Sequence, residues 1–176
     1  WHASKRRSDI EGLCKEIGVL IHQEIVWVKP CVILTFSFYS WRHEPCLLMW
    51  VKGHKPDYKP KNKSIGSVWT VGFLRSGDPT TPGYHTDVWG LDWEGKTRNP
   101  GIDHPTVKPT EVFAIPMRVH TIPGDICFEP FSGSGSQIIA GERLNRRVFA
   151  MEIEPVFCDV AVRRWEEFSG KKAARE

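Results

Sequence analysis

The amino-acid sequence predicts an α/β fold: an open, doubly wound sheet with helices on both faces, interrupted by an irregular insert. Three observations carry this. The C-terminal half reads strand–helix–strand–helix, and parallel strands joined through a helix cross over right-handed. A corner of glycines and serines, Glu129-Pro130-Phe131-Ser132-Gly133-Ser134-Gly135-Ser136, joins the first of those strands to its helix. Residues 53–103 change texture, with proline, glycine, lysine and tryptophan dominant and one plausible strand at 67–71. Open sheets of this kind bind ligands at the carboxyl ends of their strands, where the corner falls.

The elements follow from local pattern. Residues 1–4 read as the tail of a strand already under way, and an opening tryptophan points to a chain cut at its N-terminus. Over 5–18, Ile10, Leu13, Cys14 and Ile17 repeat with helical period and Gly18 supplies a C-cap. Residues 24–28 are β-branched and aromatic, a strand ended by Lys29-Pro30. A second apolar strand at 46–51 closes at Lys52-Gly53, and the segment holding Tyr39 and Arg42-His43-Glu44-Pro45 is the expected loop between them. A helix starts at Glu111 and is kinked or ended by Pro116. After a turn at Pro123-Gly124-Asp125 come strand 126–129, helix 136–144, strand 148–152 and helix 156–168, with a frayed tail from Gly170. Trp27, Trp50 and Trp165 fall inside these elements and are expected in the core.

Composition narrows the function. The 176 residues suit one domain, and 40% hydrophobic with 26% charged residues is ordinary for a globular chain. No apolar stretch approaches the ~20 residues that span a bilayer, so no membrane partner is expected. The five cysteines are scattered and never form Cys-x-x-Cys, which argues against zinc or a disulfide framework and for a reducing, cytoplasmic setting. His43-Glu44 has no further ligands at metal spacing. Neighbours on an extended segment face opposite ways, so this pair reads as structural or as a pocket wall. A net charge of +3 permits a nucleic-acid partner without requiring one.

The corner itself has a definite chemistry. Glycine lets backbone approach a ligand, and the helix start presents unpaired N–H groups. Nucleotide-binding sheets often grip ribose hydroxyls with an acid ending the second strand, about 20 residues beyond the glycines; Glu152 stands there. Glu129 ends the first strand on the same edge. Two carboxylates would repel a pyrophosphate but suit a ribose and an amino group. Ile138 occupies the place of the third glycine in the dinucleotide pattern. The arrangement points away from NAD and toward a nucleoside carrying an amino acid, such as S-adenosyl-L-methionine. The alternative is a tight structural turn with Glu152 a solvated strand end.

These motifs resemble those of the DNA amino-methyltransferases, which methylate adenine N6 or cytosine N4. Residues 129–136 look like motif I of that family. His104-Pro105-Thr106-Val107-Lys108-Pro109 resembles the signature preceding it in the beta arrangement, and Met151-Glu152-Ile153-Glu154-Pro155 is similar to motif II. Ile25-Val26-Trp27-Val28-Lys29 and His43-Glu44-Pro45 look like segments near the target-base pocket. Arg164-Trp165-Glu166-Glu167-Phe168-Ser169-Gly170-Lys171 resembles the tail of phage-type members. The resemblance runs in the family's order over nearly the whole chain, with the middle weakly matched.

The resemblance implies a Rossmann-like methyltransferase sheet, partial here: a remnant of the catalytic half at 1–52, a target-recognition insert at 53–103, a cofactor-binding half at 104–170 and a tail at 171–176. It implies that Phe131, Gly133, Ser134 and Gly135 line the methionine end of S-adenosyl-L-methionine, that Glu129 faces its amino group and Glu152 its ribose. Thr106 and Lys108 would close the site, with Lys108 a partner for the carboxylate. Glu129 departs from the aspartate of many relatives but keeps the charge. The implied partner is double-stranded DNA with a flipped target base, and the implied activity is methyl transfer to adenine N6 in DNA, as in restriction-modification systems. Cytosine N4 transfer, a non-catalytic DNA-binding module, and a methyltransferase for RNA or small molecules stay open.

The family's Asp/Asn/Ser-Pro-Pro-aromatic loop is not found. Asp78-Pro79-Thr80-Thr81-Pro82-Gly83-Tyr84 and Lys55-Pro56-Asp57-Tyr58 share letters but not its form. In the beta arrangement that loop precedes the position of Trp1, so no catalytic residue is assigned and these 176 residues alone are expected to be inactive. In 53–103, lysines and arginines interleave with Trp69, Tyr84, Trp89 and Trp93, a composition suited to phosphates and exposed bases. A solvated loop with its tryptophans on the sheet is the alternative.

Overall fold

The structure, a computed structural model, describes residues 1–33, 38, 41–58, 88–90 and 107–175. The expected strand at 67–71 and most of the insert lie outside the described residues. The chain forms two compact units, Trp1–Asp92 and Trp93–Glu176, and its architecture is α/β as expected.

In the first unit a short 3-10 turn, Ser4–Arg6, leads into α1 (Arg7–Glu16). Strands β1 (Val19–Ile33) and β2 (Trp41–Val51) pair antiparallel, and β3 (Val88–Gly90) lies parallel on β1's other side. Both long strands exceed their expected bounds. Lys29-Pro30 does not end β1. The ladder instead breaks register between Val28 and Ile33, just past the β3 pairing at Val26–Val28, so the missing proline N–H falls where no regular bond is needed. Arg42 to Pro45 belongs to β2 rather than to a loop, with Pro45 opposite Val26. On that edge strand the Pro45 carbonyl accepts a hydrogen bond from His2 N at 3.1 Å. Residues 1–3 are otherwise not a strand, which corrects the expectation there.

Trp27 anchors this unit at 1% exposure, with Leu47 and Cys14 also buried. Trp1 packs edge-on against it, centroids 6.3 Å apart. The neighbouring Lys29 is buried too. Its Nζ pairs with Glu44 at 2.7 Å and lies 5.9 Å from the Trp27 ring centroid. Glu44 therefore serves the ladder, while His43 opposite Val28 is exposed.

The second unit runs α2 (Glu111–His120), β4 (Ile126–Glu129), α3 (Ser136–Leu144), β5 (Arg147–Ala150) and α4 (Pro155–Ser169). Strands β4 and β5 are parallel, from Ile126 opposite Arg147 to Glu129 opposite Ala150. Helix α2 continues through Pro116 to His120. A single proline removes one helical bond, and packing makes up the difference: Val112, Ala114, Met117 and Val119 form its buried stripe. Ala114, Met117 and Ala140 centre the core, with Phe113, Cys127, Leu144 and Val148 packed around them. Burial pushes the Cys127 thiol pKa up, so it acts as a small apolar side chain.

Helix α3 begins and ends as expected, and Asn145 closes it in the left-handed conformation (φ 58°). The residues after Gly170 are tethered rather than frayed. Lys171 Nζ donates to Glu142, Trp165 Nε1 donates to the same carboxylate at 3.2 Å, and Ala173 N donates to Glu166 at 2.9 Å. The Lys171 bond, then the Trp165 bond, holds the Glu142 carboxyl below the usual range. Trp165, like Trp50 beside His22, is half-buried and not part of the closed core.

Candidate functional site

The site is built where β4 leaves the sheet. Between Glu129 and Ser136 the chain must reverse and start α3 against α4, which requires backbone angles that side chains resist. Gly133 (φ 54°) and Gly135 (φ 75°) supply them. A Cβ on Gly135 would lie 2.7 Å from Ala161 Cβ, so the close approach to α4 also excludes any side chain. The turn is closed by Gly135 N donating to the Ser132 carbonyl at 3.1 Å.

Both acids named by the sequence face this corner. Glu129 Oε1 accepts from Phe131 N at 2.9 Å. Glu152 Oε2 accepts from Gly133 N at 2.6 Å, and its Oε1 from Glu154 N at 3.0 Å. Glu152 does not end the second strand, however. β5 closes at Ala150, because Met151 is already engaged with the corner, its N donating to Glu129 O at 2.8 Å and its carbonyl accepting from Ser132 N at 2.9 Å. Glu152 is thus one step past the sheet, folded over the glycine loop.

Beneath the loop is a buried polar floor that the sequence reading missed. Gln137 Nε2 donates to Ser132 Oγ at 2.6 Å and to the Ser132 carbonyl at 3.2 Å. Ser136 Oγ donates to the Lys108 carbonyl at 2.6 Å, tying the proline-flanked segment to the start of α3. Arg164 reaches in from α4. Ser132, Ser134, Ser136 and Gln137 are all buried. The signal for Arg164 was its spacing: it continues, at i+3 and i+4, the buried stripe of Val160 and Ala161. Gly141 was also passed over. A Cβ there would sit 2.2 Å from Val148 Cγ2, so this glycine provides the close helix–strand packing that Ile138's position does not.

Of the expected site residues, the structure gathers Glu129, Gly133, Ser134, Gly135 and Glu152 at one corner, with Lys108 joined to it through its backbone carbonyl. Phe131, at 85% exposure, and Ile153, at 97%, present apolar side chains beside the two carboxylates. Thr106 lies outside the described residues. Among the described residues no cluster of His, Cys, Asp and Glu could hold a metal ion, and no helix is long and apolar enough to cross a membrane.

A parallel β-α-β unit with a glycine corner between its first strand and helix is an arrangement that α/β sheets use to bind ligands in general. The match can be narrowed. Residues 2–163 fit the N6/N4 methyltransferase family model, described as DNA methylase, and the chain belongs to that DNA amino-methyltransferase family. It is 29% identical over 160 residues to the type II methyltransferase M.BglII of Bacillus subtilis, covering 84% of this chain and 42% of that one. It is 27% identical to the type II methyltransferase M2.MboI of Moraxella bovis, covering 88% and 53%. The chain thus spans about half the length of these relatives. Among solved structures, the M1.HpyAVI–SAM complex superposes with a TM-score of 0.69 at 24% identity, over 93% of this chain and 71% of that one. The PvuII DNA methyltransferase, a cytosine-N4-specific enzyme, gives 0.66 at 14% identity, over 96% and 61%. These likenesses show a Rossmann-like methyltransferase fold.

Proposed function

We propose that this chain carries the cofactor half of an S-adenosyl-L-methionine-dependent DNA methyltransferase acting on adenine N6. The observation that carries the reading is the convergence of two carboxylates on one glycine corner, each already holding a loop N–H. In this reading Glu152 faces the ribose and Glu129 faces the cofactor's amino group. Phe131, Gly133, Ser134 and Gly135 form the wall at the methionine end, Ser134 through its backbone since the residue is buried. Thr106 and Lys108 close the site, with Lys108 the partner of the carboxylate. The cofactor supplies an electrophilic methyl group on a sulfonium, and the residues here bind and orient it. The acceptor is a base flipped from double-stranded DNA, and the setting is cytoplasmic. With no Pro-Pro-aromatic loop in the sequence, these 176 residues bind cofactor weakly and transfer no methyl group by themselves.

Adenine N6 is favoured by overall resemblance to phage-type members. The fold is shared with a cytosine-N4-specific enzyme, so fold alone does not choose the base. Calorimetric titration with S-adenosyl-L-methionine tests the site. Saturable binding is expected for the chain and loss of binding for Gly133→Leu, while equal affinities would remove the pocket assignment. Methylation of duplex DNA by the complete protein, followed by mass spectrometry of the nucleosides, should yield N6-methyladenine rather than N4-methylcytosine.

A further inference from the structure

Resting on that reading, we propose that Arg164 is a positioning residue for the cofactor. From α4 it sets the peptide unit between Ser134 and Gly135, and so the surface the corner turns toward the amino-acid end of S-adenosyl-L-methionine. One guanidinium nitrogen, Nη1, donates to the Ser134 carbonyl at 2.5 Å and to Ser136 Oγ at 3.2 Å. Ser136 Oγ passes the connection on to the Lys108 carbonyl at 2.6 Å. Three segments remote in sequence are thereby joined at a single cation.

The need for such a clamp follows from the loop's own chemistry. A peptide bordered by glycine can rotate at little steric cost, because glycine accepts either sign of φ. Here both ends of the planar 134–135 unit are held: its carbonyl by Arg164, and its N–H by the Ser132 carbonyl at 3.1 Å. Ser134 is 4% exposed, so without Arg164 its carbonyl would be left buried and unpaired, a costly state that rotation would relieve. Ala161 works in concert. It lies close against Gly135 one helical turn before Arg164, so that no side chain fits at that position. Arginine suits this role because its charge is permanent and its donors are splayed in a fixed plane.

The test compares the full chain with Arg164→Ala and Arg164→Lys, titrating each with S-adenosyl-L-methionine and with 5′-methylthioadenosine, which keeps the nucleoside but lacks the amino acid. Arg164→Ala should weaken S-adenosyl-L-methionine about tenfold, the scale of a hydrogen bond to a charged group, and methylthioadenosine by less than about twofold. Arg164→Lys should recover part of the difference. If Arg164→Ala does not fold, the same asymmetry is expected, smaller, in Arg164→Lys alone. Unchanged affinities would overturn the proposal. So would an equal loss for both ligands that follows a fall in melting temperature. If the unsubstituted chain binds neither ligand, the functional reading fails and this inference with it.

Discussion

At the scale of single residues, Glu152 shows how a site can be legible while its architecture is not. An acid near the expected distance from the glycines marked the position, yet the strand before it ends at Ala150, and its carboxylate oxygens bind Gly133 N of the corner and Glu154 N just beyond itself. Nothing in residue spacing reveals that the side chain proposed to meet a ligand also holds up the loop. The two roles can be separated. Glu152→Ala removes both bonds and should lower unfolding free energy by about 1–2 kcal/mol, the value for charge-assisted bonds reduced for partial exposure. Glu152→Gln retains one acceptor oxygen and should recover roughly half of that. It should nonetheless lose most of the affinity for S-adenosyl-L-methionine, because the amide offers donors where ribose hydroxyls need acceptors. Urea unfolding and calorimetry on both variants decide. If affinity and stability fall in proportion, Glu152 is a brace alone.

At the scale of elements, local signals performed best where one segment carries its own boundary chemistry. Gly135 and Asn145 delimit α3, and Pro155 and Gly170 bracket α4. The signals failed where a partner strand overrides propensity. Lys29-Pro30 reads as a stop and Arg42 to Pro45 as a loop, yet pairing carries both segments into the ladder. Gly141 belongs to the same lesson, since its reason lies in β5. Gly141→Ala gains helix propensity but drives a methyl into Val148, and should destabilise the protein by about 1–2 kcal/mol net. Val148→Ala clears the nearest obstruction, leaving the Arg146 carbonyl at 3.4 Å. In the Val148→Ala background, Gly141→Ala should therefore become neutral or stabilising, a coupling of roughly 1–3 kcal/mol in a double-mutant cycle. Additive effects would show that α3 and β5 are not in this close contact.

At the scale of the whole molecule, the order of elements was readable but the long-range pairing was not. The parallel contact of Val88–Gly90 with Val26–Val28 has no local signature, being two short runs far apart in sequence. What composition does offer at this scale is a separation of charge: two carboxylates, Glu129 and Glu152, flank the glycine corner, whereas lysines crowd 55–63 at Lys55, Lys59, Lys61 and Lys63. If that basic stretch meets DNA phosphates, its contribution must depend on counterion release and therefore on salt. Replacing those four lysines with glutamine should weaken duplex binding by the complete protein for cognate and unrelated sequences alike. It should also flatten the plot of log affinity against log salt by about one unit for each lysine that touches a phosphate. Affinity for S-adenosyl-L-methionine should stay as it was, because none of the four is among the residues proposed to bind it. Fluorescence anisotropy across a salt series measures the slope. An unchanged slope would assign the segment to solvent and place the DNA contacts elsewhere in the chain.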